Sequence, residues 1–472
     1  MKPPERSRLA PRAISPIGPI SPIGPMPVTR RRFLQSAAAS AVAAPLALRA
    51  AHAATPPSER LTVGVIGIGL MGSGHLSRCL GDAGVQVIGV CEVDKTRREN
   101  AQARADAQYA AEREKGTYRG CAAYNDYREL IARPDLDAVL IATPDHWHSL
   151  ISADAARAGK DVYCEKPITL SVQQGQRLTE VVREHACVFQ TGTQYRSMYT
   201  TRRVLEFVRG GGLGKSKQVF TLWSRAEGSY APVNPPLPEE PVPAGLDWNF
   251  WVGPAPWHPY NSRYHRNPPP GVVPWAFCED FGAAAVTWHF SHSADVIQWA
   301  LGVERSGPVE IIHPNGGEFP TLTYRYADGT LLHLLDHWGQ VKDPYEAVPS
   351  DARLAGNFGG LFVGERGWIT SMYGGGPLEG APEEIFRELG LKSREVTGAN
   401  NHHANWFECI RTRGRTSTDE EIGHRSASLG HLAILAFKLE RSLKWDPEKE
   451  EFLGDEEANR LRSRAMREPW RL

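Results

Sequence analysis

The chain has 472 residues, 41% of them hydrophobic, with 54 basic and 54 acidic side chains. That length and apolar content supply cores for two ordinary domains, and a net charge of zero offers neither a nucleic-acid surface nor a polybasic membrane patch. The partner to expect is a small molecule.

In chain order, the first segment is not fold. Thr29-Arg30-Arg31-Arg32-Phe33-Leu34 precedes an Ala-rich apolar run, Ala37 to Ala51, which has no acidic residue and ends in Ala51-His52-Ala53. Twin arginines, a mildly apolar core and an A-x-A pattern read as a signal for the twin-arginine (Tat) export machinery, which places the mature protein in the periplasm or otherwise outside the cytoplasm. The alternative, a membrane anchor, needs about 20 apolar residues, more than this run holds. No integral membrane segment is therefore expected in the mature chain. Residues 1–54 are read as leader and signal peptide, with Met1 or Met26 as the start. The seven cysteines form no C-x-x-C pair, which fits folding in a reducing cytoplasm before export better than a disulfide or zinc framework.

A dinucleotide-binding domain is expected over residues 60–190. Leu61 to Ile68 is a continuous, β-branched apolar run, as a strand buried on both faces should be. It leads into Gly67-Ile68-Gly69-Leu70-Met71-Gly72 and a helix. The glycines let the backbone turn and approach a pyrophosphate, which sits on the N–H groups of the helix N-terminus. A second run, Val85 to Val90, ends at Glu92, 25 residues after Gly67. An acid there can accept both ribose hydroxyls of the adenosine and repels a 2′-phosphate, so NAD is preferred to NADP. Arg97 and Arg98, which argue for NADP, are read as a solvated helix face.

Further strands are expected at Leu136 to Ala142 and Asp161 to Cys164, separated by a helix that stops at Gly159. Alternating strands and helices mean an α/β doubly wound sheet that binds ligands at the carboxyl ends of its strands. Thr143-Pro144-Asp145-His146-Trp147-His148 and Glu165-Lys166-Pro167 fall at such ends. Lys166 there can polarise a substrate hydroxyl and stabilise the developing alkoxide.

The segments GVIGIGLMG, ATPDHWH and CEKP, in this order, resemble the Gfo/Idh/MocA family (glucose-fructose oxidoreductase, inositol dehydrogenase and relatives). The resemblance extends through Trp248-Asn249-Phe250-Trp251-Val252-Gly253-Pro254-Ala255, Leu361 to Trp368 and His402-His403-Ala404-Asn405-Trp406-Phe407. It implies an N-terminal Rossmann domain followed, over residues 191–472, by an α/β domain with a large, mostly antiparallel open sheet, whose last segment is expected to pack back on the first domain. It also implies action on sugars, cyclitols or related polyols, with Lys166 catalytic and Thr143, Pro144, His146, His148 and Glu165 lining the nicotinamide pocket. The open sheet of the family often pairs with another, so a homo-oligomer is in view. Pro232 to Pro243 reads as a loop, and Thr321 to Tyr326 and Leu331 to Asp336 flank Asp328-Gly329 as a hairpin. Trp, Tyr and His are dense from Trp248 to Trp299; they suit a carbohydrate cleft, although ordinary packing accounts for more than half of them.

Relatives typically read D-Y-S-G-G-x-x-x-D-W-G-x-H-x-x-D before a W-A-L-G helix. Asp280 to Asp295 fits that pattern without a gap, up to Trp299-Ala300-Leu301-Gly302. His292 takes the place of the catalytic histidine and Asp295 that of its partner, while Trp288 replaces the acid and Ala283-Ala284 the Gly-Gly pair. His292 would act as general base. His289 shares its helix face and is counted with Lys166, His292 and Asp295 as substrate-binding. A metal held by His289, His292 and a distal histidine such as His403 is the minor alternative, since no spacing is diagnostic, and no metal is expected.

The expected activity is hydride transfer from a CH–OH group to a tightly held nicotinamide. Two alternatives stand beside it. One is a glycosidase, lyase or epimerase that oxidises transiently with no net redox. The other is a non-catalytic, cofactor-bound carbohydrate-binding protein.

Overall fold

The computed structural model describes residues 59–223, 237–265, 274–282, 286–372, 376–396 and 402–472. The expected leader, residues 1–54, and the Ala283-Ala284 pair lie outside them, as do the side chains of Trp288 and His289.

Strands β1 (Leu61–Ile66), β2 (Val85–Cys91), β3 (Ala122–Tyr124), β4 (Ala138–Ile141), β5 (Asp161–Cys164) and β6 (Phe189–Thr191) form one sheet in the order β3-β2-β1-β4-β5-β6. All its pairings are parallel. Helices α1 (Leu70–Gly81), α2 (Lys95–Gln108), α3 (His148–Arg157) and α4 (Val172–Glu184) make the crossovers. Covered on both faces, β2, β4 and β5 are buried at every position. The first strand is shorter than its apolar run because Gly67 turns into the left-handed region at φ +84°. The β4 run is likewise trimmed, to Ala138–Ile141. The strand order reverses between β1 and β4, which opens a crevice at their carboxyl ends.

The second sheet is built from β7 (Ser216–Leu222), β8 (Glu310–Ile312), β9 (Thr323–Arg325), β10 (Leu331–Leu335), β11 (Leu361–Gly364), β12 (Gly367–Thr370), β13 (Gly380–Ala381), β14 (Leu443–Asp446) and β15 (Glu451–Phe452). Its order is β13-β12-β11-β7-β10-β9-β8-β14-β15, antiparallel except where β7 meets β10. The β9–β10 hairpin turns at Asp328-Gly329, with Gly329 at φ +86° and Asp328 Oδ1 accepting from the Thr330 N–H at 2.9 Å.

Helices α5 (Tyr199–Arg209), α6 (Val286–Leu301) and α8 (Glu420–Leu439) cover one face of this sheet. Phe290, Ala294 and Ile297 of α6 meet Leu429, Leu432 and Ala433 of α8 over Val219, Tyr324 and Phe362. Helix α7 (His402–Thr412) instead buries Trp406, Phe407 and Ile410 against Val63, Val87 and Leu140 of the first domain. No helix among the described residues is long and apolar enough to cross a membrane.

Candidate active site

The glycine-rich turn sits at the crevice. A Cβ on Gly67 would lie 2.7 Å from the Ala142 carbonyl oxygen, and one on Gly72 would lie 1.8 Å from that of Gly67. Only glycine lets the turn close against β4 at these two positions. Gly69 caps α1, and Leu70 and Met71 stand exposed on its first turn, which leaves that helix end open to an anion. Glu92, buried at the end of β2, accepts from the Ile68 N–H at 2.7 Å and the Asp94 N–H at 3.0 Å. Its carboxylate therefore braces the glycine turn. Arg97 and Arg98 are not a solvated face: Arg97 donates to the His265 carbonyl at 3.1 Å, and Arg98 donates to the Glu92 carbonyl and to Asn125. Deeper in the crevice, Thr143 Oγ1 is buried with no hydrogen-bond partner among the described residues. The narrow glycine cradle, the open helix end and this orphaned hydroxyl fit a dinucleotide.

Lys166 and Glu165 follow β5, and both are buried. Burial pushes the Lys166 amine down, against the pull of Glu165 and Asp145; burial likewise pushes the Asp145 carboxyl up, against Lys166. The two affinities converge, as suits a group that must release and regain a proton. Burial also pushes Glu165 up, but a hydrogen bond from His75 and nearby cationic charge outweigh it and bring the carboxyl down to about 2. His292, on α6, acts on Glu165 through its charge, and it packs on Tyr195, the neighbour of Gln194, whose Nε2 donates to Glu165 Oε1 at 3.3 Å. Its ring lies 4.5 Å from that of Tyr195 and 5.2 Å from that of Phe358.

Other anticipated residues are near but otherwise engaged. His148 places Nδ1 2.7 Å from the Pro167 carbonyl oxygen and Nε2 2.8 Å from that of Thr143, clipping the two motif turns together. His146 reaches the Trp251 and Phe281 carbonyls at 3.0 and 3.3 Å, tying the first domain to the second. Both rings thus face backbone carbonyls, and burial lowers the basicity of both. Asp295 is fully buried and paired with Arg196, Nη2 to Oδ1 at 2.8 Å and Nε to Oδ2 at 3.1 Å, so its carboxylate anchors α6 rather than reaching for a ligand. His403 Nε2 lies 2.9 Å from His75 Nδ1. His258, Cys278 and Asp280 do bring ligand atoms within 4.8 Å of one another. There His258 Nε2 already pairs with Asp280 at 2.8 Å, and burial pushes the Cys278 thiol up to about 11. A cavity of about 340 Å³ is walled by His146, Val172, Asp280, His431 and Arg462; neither Lys166 nor His292 lines it.

The sequence reading passed over His75, Asp145, Gln194 and Arg196. Asp145 stands inside the quoted TPDHWH motif, and His75 follows Gly72 by three residues, on the face of α1 that turns inward. Arg196 carried no local signal.

Comparison with known proteins agrees with this architecture. The model of the oxidoreductase family with an NAD-binding Rossmann fold matches residues 61–193, and that of its C-terminal alpha/beta domain matches residues 231–362 and 386–472. Inositol 2-dehydrogenase of Salmonella typhimurium is 35% identical over 126 residues, which span 26% of this chain and 34% of that enzyme. Among solved structures, the aldose-aldose oxidoreductase from Caulobacter crescentus complexed with glycerol superposes with a TM-score of 0.53 at 16% identity, over 82% of this chain and 99% of that one. The WlbA dehydrogenase from Bordetella pertussis, in complex with NADH and UDP-GlcNAcA, does so with a TM-score of 0.51 at 16% identity, over 82% and 98%. With both halves matched by models of one family, the chain belongs to the Gfo/Idh/MocA oxidoreductases.

Proposed function

We propose that the protein is an exported, NAD-dependent oxidoreductase acting on a CH–OH group of a sugar, cyclitol or glycoside. The observation that carries this reading is the buried Asp145–Glu165–Lys166 group at the carboxyl ends of β4 and β5, with His292 of α6 linked to it through Tyr195 and Gln194. A relative that oxidises inositol supports the substrate class. Gly67, Gly69, Leu70, Met71 and Gly72 would hold the pyrophosphate, Glu92 the ribose, and Thr143 and Pro144 the nicotinamide side. The bound nicotinamide supplies the hydride acceptor. NAD is favoured over NADP because an acid, Glu92, ends β2, where it would repel a 2′-phosphate, while Arg97 and Arg98 donate to backbone carbonyls.

Lys166 donates a hydrogen bond to the reacting hydroxyl and stabilises the charge that develops on its oxygen. His292 accepts the hydroxyl proton, and the aromatic rings of Tyr195 and Phe358 fix the plane of its imidazole. Export by the Tat route would leave the nucleotide without a pool to exchange with, so it is read as tightly retained; pairing through the open sheet would make the assembly a homo-oligomer.

The test is to isolate the exported protein, denature it, identify the released nucleotide by mass, and follow oxidation of a polyol panel by the native protein. NAD with turnover that Lys166→Met lowers by about 10²-fold or more is the expected result. Finding neither bound nucleotide nor affinity for added NAD would overturn the proposal. Aglycone released from a glycoside with no net reduced nucleotide would replace oxidation by transient-oxidation chemistry.

A further inference from the structure

We infer that His75 and His403 are positioning residues, a buried hydrogen-bonded pair that holds Glu165 ionised beside Lys166 and thereby sets the pH range over which Lys166 keeps its proton. The inference deepens the oxidoreductase reading and rests on Lys166 having the role given above.

The geometry is a chain of three side chains from distant parts of the sequence. His75 Nε2 lies 2.9 Å from Glu165 Oε1, and His75 Nδ1 lies 2.9 Å from His403 Nε2. His75 is 2% exposed, Glu165 5% and His403 7%. The ring of His403 stacks on Tyr163 at 4.9 Å with 13° between the planes, and the edge of His75 meets the same tyrosine at 5.4 Å. Glu165 Oε1 also receives Gln194 Nε2 at 3.3 Å, and Oε2 receives the Lys166 N–H at 3.3 Å. The space is closed on the far side: a Cβ on Gly192 would lie 2.6 Å from Glu165 Oε1.

Donor counting assigns the protons. An ionised carboxylate only accepts, so His75 Nε2 carries a hydrogen. Its Nδ1 then either accepts from His403 Nε2–H, with both rings neutral, or donates to it, with His75 cationic. Both arrangements keep the Nε2–H on Glu165, so the pair serves the carboxylate whether or not it holds an extra proton. Burial holds His403 down to about 3, which makes it the neutral end of the chain.

Among the described residues, the charged or titratable groups around Glu165 are His75, Asp145, Cys164, Lys166, His292, Tyr163, His402 and His403, with Arg78 acting on Tyr163 and His403 from α1; around Lys166 they are Glu165, Asp145 and His148. Removing the His75 donor leaves a buried carboxylate that gains by taking a proton. Lys166 then loses an adjacent negative charge and gives up its own proton at lower pH.

The experiment reads Lys166 directly and needs no substrate. Full-length protein, as purified with its nucleotide, is acetylated with trace acetic anhydride across a pH series. The rate at Lys166 is then compared by mass spectrometry with that at Lys449, whose side chain is 68% exposed. His75→Phe is expected to move the Lys166 half-titration point down by roughly 1–3 pH units. His75→Gln, whose amide still donates, should recover more than half of the shift, and His403→Phe should shift less than His75→Phe. A midpoint in His75→Phe equal to that of the parent overturns the inference, because a merely structural histidine would alter stability and not this midpoint. If His75→Phe does not fold, an unshifted His403→Phe overturns it instead. A shifted midpoint in a protein that oxidises no polyol sinks the functional reading alone. An unshifted midpoint in an active enzyme sinks this inference alone.

Discussion

Replacing Arg196 with methionine should cost about 3–5 kcal/mol, the usual penalty for removing one partner of a buried ion pair. Arg196 is 5% exposed and meets the fully buried Asp295 through two hydrogen bonds of 2.8 and 3.1 Å. Its Nη1 also pairs with Glu304 at 2.9 Å, and its guanidinium lies 4.7 Å from the Trp299 ring. Methionine keeps most of the volume but strands Asp295, whose carboxyl burial already pushes up against the pull of Arg196. That loss is a large part of the roughly 5–15 kcal/mol that holds a typical protein folded. Asp295→Asn should cost less, since Arg196 keeps Glu304. The double variant should fall short of the sum by about 0.5–3 kcal/mol, because no charge is then left alone. Urea titrations followed by tryptophan fluorescence give all three values. An Arg196→Met cost below about 1 kcal/mol, or strict additivity, would refute a buried pair as the anchor of α6. Because Asp295 lies one turn beyond His292, Arg196→Met should also lower kcat in any fraction that folds.

Gly72→Ala should abolish NAD binding, since its methyl would sit 1.8 Å from the Gly67 carbonyl oxygen; as much nucleotide released on denaturation as from the parent would refute the cradle. Lys166→Met should retain nucleotide and lose about 10²-fold or more in kcat, as expected for removing a donor to a developing oxyanion. Stability should fall in mild acid. Burial lowers His146 and His402 from 6.5 to about 4, and His333, His403 and His431 from 6.5 to about 3. The unfolded chain binds those protons first, so stability is full above about 6.5 and declines as pH drops through the window toward 4, by about 1.4 kcal/mol per pH unit for each group. Equal urea midpoints at neutral pH and in mild acid would refute the neutral burial of these rings.

What was legible in the sequence was whatever short-range pattern dictates. Continuous apolar runs identified β1, β2 and β4, and glycine spacing identified the turn before α1, because a backbone that must approach its neighbour tolerates no Cβ whatever the rest of the fold does. The Glu165-Lys166 pair was legible for the same reason: it ends a buried strand, and such ends face the crevice. Where those strands stop, at Ile66 and at Ile141, was not.

The tertiary structure alone decided what the polar groups do. Asp295 aligned with a ligand-side position yet is held by Arg196, which lies 99 residues away in sequence. His146 and His148 stood in a pocket motif yet serve backbone carbonyls on both sides of the domain junction. Glu165 owes its charge to His75 and, behind it, to a histidine 328 residues further along the chain. Local pattern determines which segments are buried, because burial of apolar area depends on composition and periodicity. A buried polar group is bound instead to the donor or acceptor that folding happens to bring within about 3 Å, and nothing in its own neighbourhood of sequence names that partner.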